Sequence, residues 1–280
     1  MNVDALRALP RPLAYVLPGG GALAAYQVGV LHALTAVGIE PDRLIGVSAG
    51  AMNAALFAWS SGDVQRLERI WLDVRRRDLM RVHPGRLALA LAGKRRSFLD
   101  NRHGVAFLRT HLGARRIEHA PIPLSIIATD LATGRPFVLE YGDVVSAIVA
   151  SSAFPGVFPP VEIDGHTLID GGVVADVPLD VAADLGMASA IVIAVPPLAP
   201  APAPQHPLGV VLRSSTWGVE AHGRTIVARP PDGLQVVEIP TQPSSITTFA
   251  VGSAAATMDG ARQYTERWLQ SDTAAGVDTL

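Results

Sequence analysis

A serine between two glycines is the residue of this sequence with the clearest potential for chemistry. Ser48 lies in Gly46-Val47-Ser48-Ala49-Gly50, which follows a short apolar run and precedes the apolar segment 51–59. This pattern predicts a strand, a one-residue corner and a buried helix, with the serine hydroxyl projecting beyond the end of a sheet. The flanking Gly46 and Gly50 lack a Cβ and let the strand and the helix approach closely. Ser48 is therefore a candidate nucleophile of a serine hydrolase; the alternative is an ordinary strand–helix turn.

The glycine triplet Gly19-Gly20-Gly21 is a second group suited to this chemistry. It precedes a segment with helical spacing, 22–37, and its amides could turn towards a single oxyanion. The amide of Ala49 could join them, because the first amides of a helix are unpaired and lie at the positive end of its dipole. The triplet also fits a dinucleotide-binding fingerprint, with Ala24 in the third place and Glu40 positioned for a ribose. A nucleotide-binding module is therefore an alternative function.

An aspartate followed by two glycines, Asp170-Gly171-Gly172, is the candidate base. It ends a predicted strand, 167–169, which forms a hairpin with 161–163 through the turn Asp164-Gly165. A serine hydroxyl becomes a good nucleophile only when a base takes its proton. An aspartate can do so near neutral pH when apolar burial raises its pKa. The alternative is a turn aspartate, since Asp-Gly pairs are common in turns.

Other acids and bases compete with Asp170. Asp130 is the second candidate because it also follows a predicted strand, whereas Asp176 fits a loop position. A Ser–Asp–His triad in the chain order serine, acid, histidine would use His206 or His222. No cofactor and no metal is predicted, because the histidines and carboxylates do not form a spaced cluster on one element.

Taken together and in order, these motifs resemble the patatin-like phospholipase family. They are GGGALAAYQVGVL at 19–31, GVSAGA at 46–51 and DGG at 170–172. Segments 122–133 and 150–160 are also similar to bacterial members, and the resemblance covers roughly 13–195. It implies lipid acyl ester hydrolysis by a Ser–Asp dyad, here Ser48 and Asp170, without a histidine.

We expect an α/β fold: a three-layer sandwich with a mainly parallel central sheet flanked by helices, as in patatin-like proteins. The first 60 residues predict strand, glycine loop, helix, strand, serine corner and helix, so the two strands are parallel with a right-handed crossover. The chain 1–280 is predicted to be a single acyl hydrolase domain. Its core is 13–195, a Pro/Ala-rich excursion follows at 196–208, and helices and a strand occupy 209–270. Within the core, a helix is expected at 98–112, a strand at 137–141 and an N-cap at Asp143 for a helix at 144–152.

The composition excludes several classes of protein and of catalytic chemistry. Hydrophobic residues make up 49% and charged residues 17%, which argues against a disordered chain. The absence of cysteine excludes disulfides and thiolate catalysis. Residues 1–12 lack the apolar core of a signal peptide, so a cytoplasmic enzyme is expected. The uncharged stretch 12–39 is interrupted by its glycine triplet, which argues against a membrane-spanning helix.

Positive charge is concentrated in one segment. Arg75 to His119 contains twelve Lys or Arg and three Asp or Glu, although the net charge of the chain is −2. This segment could contact an anionic membrane surface peripherally, or it could be a solvated helical face. Few aromatic residues are interleaved, which argues against nucleic-acid binding. The expected partner is a lipid or phospholipid substrate, whose acyl chain could pass leucines near 87–91 and the loop 154–158.

Overall fold

The computed structural model describes residues 3–60, 62–75, 85, 89–90, 92–197, 202–205, 207–242 and 251–271. The strands are β1 (Leu13–Leu17), β2 (Arg43–Val47), β3 (Leu124–Asp130), β4 (Arg135–Leu139), β5 (Val161–Ile163), β6 (His166–Asp170), β7 (Ser189–Val192) and β8 (Gln235–Glu238). The helices are α1 (Val3–Arg7), α2 (Ala25–Ala36), α3 (Ala49–Trp59), α4 (Val64–Asp73), α5 (Arg102–Leu112), α6 (Val144–Ser151), α7 (Gly172–Ala175), α8 (Leu179–Asp184), α9 (Pro207–Ala228) and α10 (Ala254–Gln270). Short 3-10 helices occupy Gly21–Ala24, Ile117–His119 and Val251–Ser253.

The described strands form one eight-stranded sheet in the order β5-β6-β3-β2-β1-β7-β8, with β4 also paired to β3. The pairs among β1, β2, β3, β7 and β8 are parallel. The hairpin β5–β6 is antiparallel, and both β4 and β6 pair antiparallel with β3. The mainly parallel sheet predicted from the sequence is therefore confirmed.

Alternating side chains of the central strands pack on opposite faces of the sheet. In β1, Leu13, Tyr15 and Leu17 join a core cluster with residues of α2, α3, α4 and α10, whereas Ala14 and Val16 join a second cluster with residues of α7 and α8. A strand buried on both faces reads as a continuous apolar run, as β1 does. The helices therefore lie on both sides of the sheet, as predicted.

Two element boundaries differ from the predicted ones. A helix was expected from Phe98, but α5 begins at Arg102 because the N–H groups of Phe98 and Leu99 donate to the carbonyls of Gly156 and Val157, each at 2.8 Å. The strand expected at 137–141 is β4, which starts earlier because its Arg135 pairs with Asp130. Long-range hydrogen bonds decided the first boundary, and the local hairpin between β3 and β4 decided the second.

The C-terminal helix completes one face of the sheet. A Cβ on Gly29 of α2 would lie 2.1 Å from the carbonyl oxygen of Met258 in α10, so glycine is needed for this close helix packing.

Parts of the predicted excursion 196–208 and of the leucine segment 87–91 lie outside the described residues. None of the helices in the described ranges has the length and apolar character that crossing a membrane requires.

Candidate active site

The serine corner joins β2 to α3. Ser48 has φ 53° and ψ −122°, a left-handed backbone conformation that a residue with a side chain rarely adopts. A Cβ on Gly46 would lie 2.6 Å from Ala51 Cα, and a Cβ on Gly50 would lie 2.1 Å from the carbonyl oxygen of Leu17. The predicted strained corner between two spacing glycines is therefore present.

The sheet register brings Asp170 to this corner. Val47, the residue before Ser48, is aligned with Ile127 of β3. The next residue of β3, Ala128, pairs with Asp170 at the end of β6. Because β3 lies between β2 and β6, Ser48 and Asp170 reach the same level of the sheet from opposite sides of one strand.

The two side chains are in direct contact. Ser48 Oγ donates to Asp170 Oδ2 at 2.8 Å, and the Gly172 N–H donates to the other carboxylate oxygen, Oδ1, also at 2.8 Å. Burial raises the pKa of Asp170 to about 6, although both hydrogen bonds act in the opposite direction. A Cβ on Gly171 would lie 2.2 Å from the carbonyl oxygen of Ile127, so glycine is needed beside this aspartate. A carboxylate with this pKa can accept the proton of a serine hydroxyl near neutral pH.

The glycine loop faces the serine corner. A Cβ on Gly19 would lie 3.2 Å from Ser48 Cβ, and Gly20 and Gly21 have φ values of 149° and 58°. The Gly19 N–H donates to Asp176 Oδ1 at 3.0 Å, so in this structure it is not available to an oxyanion. The N–H groups of Gly20, Gly21 and Ala49 have no hydrogen-bond partner within the described residues. Of the predicted oxyanion donors, these three N–H groups remain free to donate to a ligand within the part of the chain that the structure describes.

Buried polar side chains hold the start of this loop. Gln27 Nε2 donates to the carbonyl oxygens of Pro18 and Ile193, at 2.9 and 3.1 Å. Asn53 Nδ2 donates to Gln27 Oε1, and Trp71 Nε1 donates to Asn53 Oδ1. Each buried polar group named here thus has a partner, and the network connects α2, α3 and α4 beneath the loop.

Three residues around the serine and the aspartate have contacts that the sequence analysis did not predict. The Ser48 N–H donates to Ser151 Oγ at 2.8 Å, and that hydroxyl donates to the Ile127 carbonyl. Thr129 Oγ1 donates to the Asp170 carbonyl at 2.9 Å. The third residue is Asp176, expected in a loop but bound to the glycine triplet. Its apolar neighbours in sequence, 173–175 and 177–179, are the signal that could have identified it as a partly buried acid.

The other aspartates have structural roles. Asp130 contacts His166 Nδ1 at 2.6 Å and accepts from the N–H groups of Ala132 and Thr133 in the turn after β3. Asp143 accepts from the Ser146 N–H as the N-cap of α6, as predicted. Asp164, with φ 51°, occupies the predicted hairpin turn.

The alternatives considered from the sequence find no support here. His222 is exposed, His206 lies outside the described residues, and no described histidine hydrogen-bonds to Ser48 or Asp170. The Glu40 carbonyl accepts from Arg11, which precedes β1, so Glu40 lies at the amino ends of the central strands, whereas the glycine loop follows the carboxyl end of β1. No group of three or more His, Asp or Glu side chains within the described ranges is arranged to hold a metal ion.

The fold and the site together define an α/β protein with a serine on a strand–helix corner and a buried carboxyl group beside it. The sequence profile of the patatin-like phospholipase family matches residues 15–183, and the chain belongs to that family. Membership supports lipid acyl hydrolysis at the level of the family.

Relatives share this part of the chain. An uncharacterized NTE family protein of Mycobacterium tuberculosis is 30% identical over 167 residues, covering 60% of this chain and 44% of the relative. Patatin-like phospholipase domain-containing protein 7 of the mouse is 30% identical over 195 residues, covering 65% of this chain and 13% of the relative. The chain therefore spans less than half of the mycobacterial relative and a small part of the mouse one.

Two solved structures are distant neighbours. VipD of Legionella pneumophila has a TM-score of 0.47 and 14% identity, covering 93% of this chain and 67% of that one. ExoU, in its complex with SpcU from Pseudomonas aeruginosa, has a TM-score of 0.40 and 19% identity, covering 94% and 52%.

Proposed function

We propose that the protein is a lipid acyl hydrolase in which Ser48 is the nucleophile and Asp170 is the base. The observation that carries this proposal is the 2.8 Å hydrogen bond from Ser48 Oγ to Asp170 Oδ2, made at a corner with positive φ. A strained corner is costly unless surrounding contacts hold it, and such conformations cluster at functional sites.

The reaction follows from these contacts. Ser48 Oγ attacks the acyl carbonyl carbon while its proton passes to Asp170 Oδ2. The amides of Gly20, Gly21 and Ala49 stabilise the negative charge on the former carbonyl oxygen. The intermediate then collapses, the ester C–O bond breaks, and Asp170 returns the proton to the leaving alcohol. Water hydrolyses the acyl-enzyme with Asp170 again as the base, which releases the fatty acid and restores Ser48.

Membership of the patatin-like phospholipase family supports a phospholipid or lysophospholipid as the substrate. The loop 154–158 is a candidate wall for the acyl chain, because Phe154 and Phe158 are only partly buried. Both residues follow α6, which supplies Ser151 to the serine corner. This substrate class is tested by comparing hydrolysis of phospholipid vesicles with hydrolysis of a soluble short-chain ester.

Peripheral contact with an anionic membrane surface is part of the proposal. Lys94, Arg95 and Arg96 belong to the basic segment 75–119, are exposed, and line a surface pocket with Pro159. Adjacent cations attract anionic lipid head groups, by about 1 kcal/mol for each charge near the surface. Replacing the three cations with serine should weaken co-sedimentation with anionic vesicles at low salt while short-chain ester hydrolysis continues. Unchanged vesicle binding would contradict this part.

A fluorophosphonate probe tests the nucleophile directly. We expect covalent labelling of the folded protein, peptide mapping to Ser48, and no labelling of Ser48→Ala. Heat-denatured protein is the control for non-specific reaction. A folded protein that neither reacts at Ser48 nor hydrolyses short-chain esters would overturn the proposal.

A further inference from the structure

A second acid lies beside the proposed serine and aspartate. Asp176 directly follows the short helix α7, and its Oδ1 accepts the Gly19 N–H at 3.0 Å. This bond joins two segments that are 157 positions apart in the chain. It attaches the segment after Asp170 to the first residue of the glycine loop.

Two glycines allow this acid to approach both proposed catalytic side chains. A Cβ on Gly19 would lie 3.0 Å from Asp176 Oδ1 and 3.2 Å from Ser48 Cβ. A Cβ on Gly172 would lie 3.2 Å from Asp176 Oδ1 and 3.2 Å from Asp170 Oδ1. No side chain therefore separates Asp176 from Ser48 at the first glycine, or from Asp170 at the second.

Within the part of the chain that the structure describes, the charged groups that act on Asp176 are themselves acidic. They are Asp170 on β6 and Glu220 on α9, and Glu220 is paired with Arg224 at 3.7 Å. Burial is the largest effect and raises the pKa of Asp176 to about 7, the Gly19 N–H lowers it, and the two acids raise it. Near neutral pH the protonated and ionised forms of the Asp176 carboxyl group are therefore present in similar amounts.

We propose that Asp176 is a positioning residue of the hydrolase that holds the glycine loop through Gly19 and supports the reaction in its protonated state. The inference rests on the proposed function of Ser48 and Asp170. An ionised Asp176 would place a negative charge beside the loop whose amides must stabilise an oxyanion, and like charges at short range in a protein interior repel strongly. A protonated Asp176 keeps the hydrogen bond to Gly19 without that charge.

The two acids then have opposite requirements. Asp170 must have lost its proton to accept one from Ser48, so activity falls as the pH drops through its pKa. Asp176 must retain its proton, so activity falls again as the pH rises through its own. The carboxyls are coupled, and the two limbs of the pH profile report apparent pKa values of the pair. We expect a bell-shaped profile for short-chain ester hydrolysis.

The variant Asp176→Asn tests this directly. Its amide oxygen can still accept the Gly19 N–H, but the side chain cannot ionise. We expect the ratio of kcat/KM at pH 8.5 to that at pH 6 to be at least tenfold higher than in the parent protein, with the alkaline limb lost. Asp176→Leu removes the acceptor as well, and we expect kcat to fall at least tenfold at every pH with little change in KM. Asp180→Asn, an exposed acid in α8, is the matched control and should keep the parental profile.

Several outcomes would overturn the inference. An alkaline limb that persists in Asp176→Asn would show that another group causes it, and equal losses at every pH in both variants would indicate a purely structural role. If circular dichroism shows that Asp176→Leu is unfolded, the pH profile of Asp176→Asn by itself tests the role of Asp176. The probe separates this inference from the proposed function: with Ser48 labelled and the parent active, only the role of Asp176 is at stake. An unlabelled, inactive parent would overturn both.

Discussion

Two neighbouring strand ends carry aspartates with different environments. At the end of β3, Asp130 is hydrogen-bonded to His166 and to two turn amides, and these bonds hold the pKa of its carboxyl group below the usual value. At the end of β6, Asp170 is bonded to Ser48 and Gly172, and burial raises the pKa of its carboxyl group to about 6. Because β3 and β6 pair with each other, the two aspartates belong to the same antiparallel strand pair.

The difference shows that sheet register determines what each carboxyl group can do. Asp170 pairs with Ala128, next to the level of the serine corner, whereas Asp130 lies two positions further along β3 and pairs with Leu168. Asp130 therefore stabilises a turn in a partly polar setting. Asp170 meets a serine hydroxyl in an apolar one, where its protonated and ionised forms are close in free energy near neutral pH.

The largest expected difference between the two strand ends is in activity. Asp170→Asn should lower kcat for a short-chain ester at least ~10³-fold, because an amide cannot accept the serine proton. Asp130→Asn is the matched control. Its kcat should remain within about threefold of the parent value, because the substitution changes only hydrogen bonds of ~1 kcal/mol in a turn. Steady-state kinetics on the purified variants measures both. Similar losses in the two variants would remove the distinction between the strand ends.

The pH dependence of stability should have opposite signs at the two positions. A raised carboxyl pKa means that the folded protein binds the proton more tightly than the unfolded chain, so this contribution to stability is present at low pH and is lost as the pH rises through about 6. Relative to the parent, Asp170→Asn should therefore gain on the order of 2–3 kcal/mol of unfolding free energy between pH 4 and pH 7.5. Asp130→Asn should show no such gain. Because the pKa of Asp130 is lowered from its usual value of 3.8, its stabilising contribution is present above about pH 4 and is lost below it, and this variant should lack that contribution. Urea unfolding of the parent and both variants at pH 4 and pH 7.5 measures these changes. A gain of unfolding free energy relative to the parent in both variants would contradict the prediction.

A smaller effect is expected from the side chain that ties Ser48 to β3. Ser151→Ala removes the acceptor of the Ser48 N–H and should lower kcat roughly tenfold, since an unsatisfied buried amide costs about 1–3 kcal/mol and the corner can shift. Ser152→Ala, at the next position, is the control. Equal kinetics in the two variants would show that the strained corner does not depend on Ser151.

The smallest effect is expected at the Asp130 end. The His166 side chain is 45% exposed, and partly exposed ion pairs contribute about 0–1 kcal/mol. His166→Ala should therefore lower the unfolding free energy by less than about 1 kcal/mol and leave kcat unchanged. A large loss of activity would instead connect this strand end to the site.

Local sequence patterns predicted most elements near the site. The apolar runs predicted β1, β2 and β3, and Asp164-Gly165 predicted the turn of the hairpin that ends at Asp170. The start of α5 was predicted incorrectly, because Phe98 and Leu99 are bound to the loop 154–158 by long-range hydrogen bonds. Gly19 was predicted as an oxyanion donor, and in this structure its N–H is bonded to Asp176. In both cases the two partners are far apart in sequence, so no local pattern could have predicted that they would meet.

The sequence by itself determined where the reactive groups occur: a serine on a glycine-flanked corner, a glycine triplet after a strand, and an aspartate at the end of a hairpin. These features are local, since backbone conformation at glycines and the spacing of apolar residues act over a few positions. Only the tertiary structure decided which aspartate meets Ser48 and which acid binds the glycine loop. Those pairings depend on the register of β3 between β2 and β6 and on the burial that this packing imposes on two carboxyl groups.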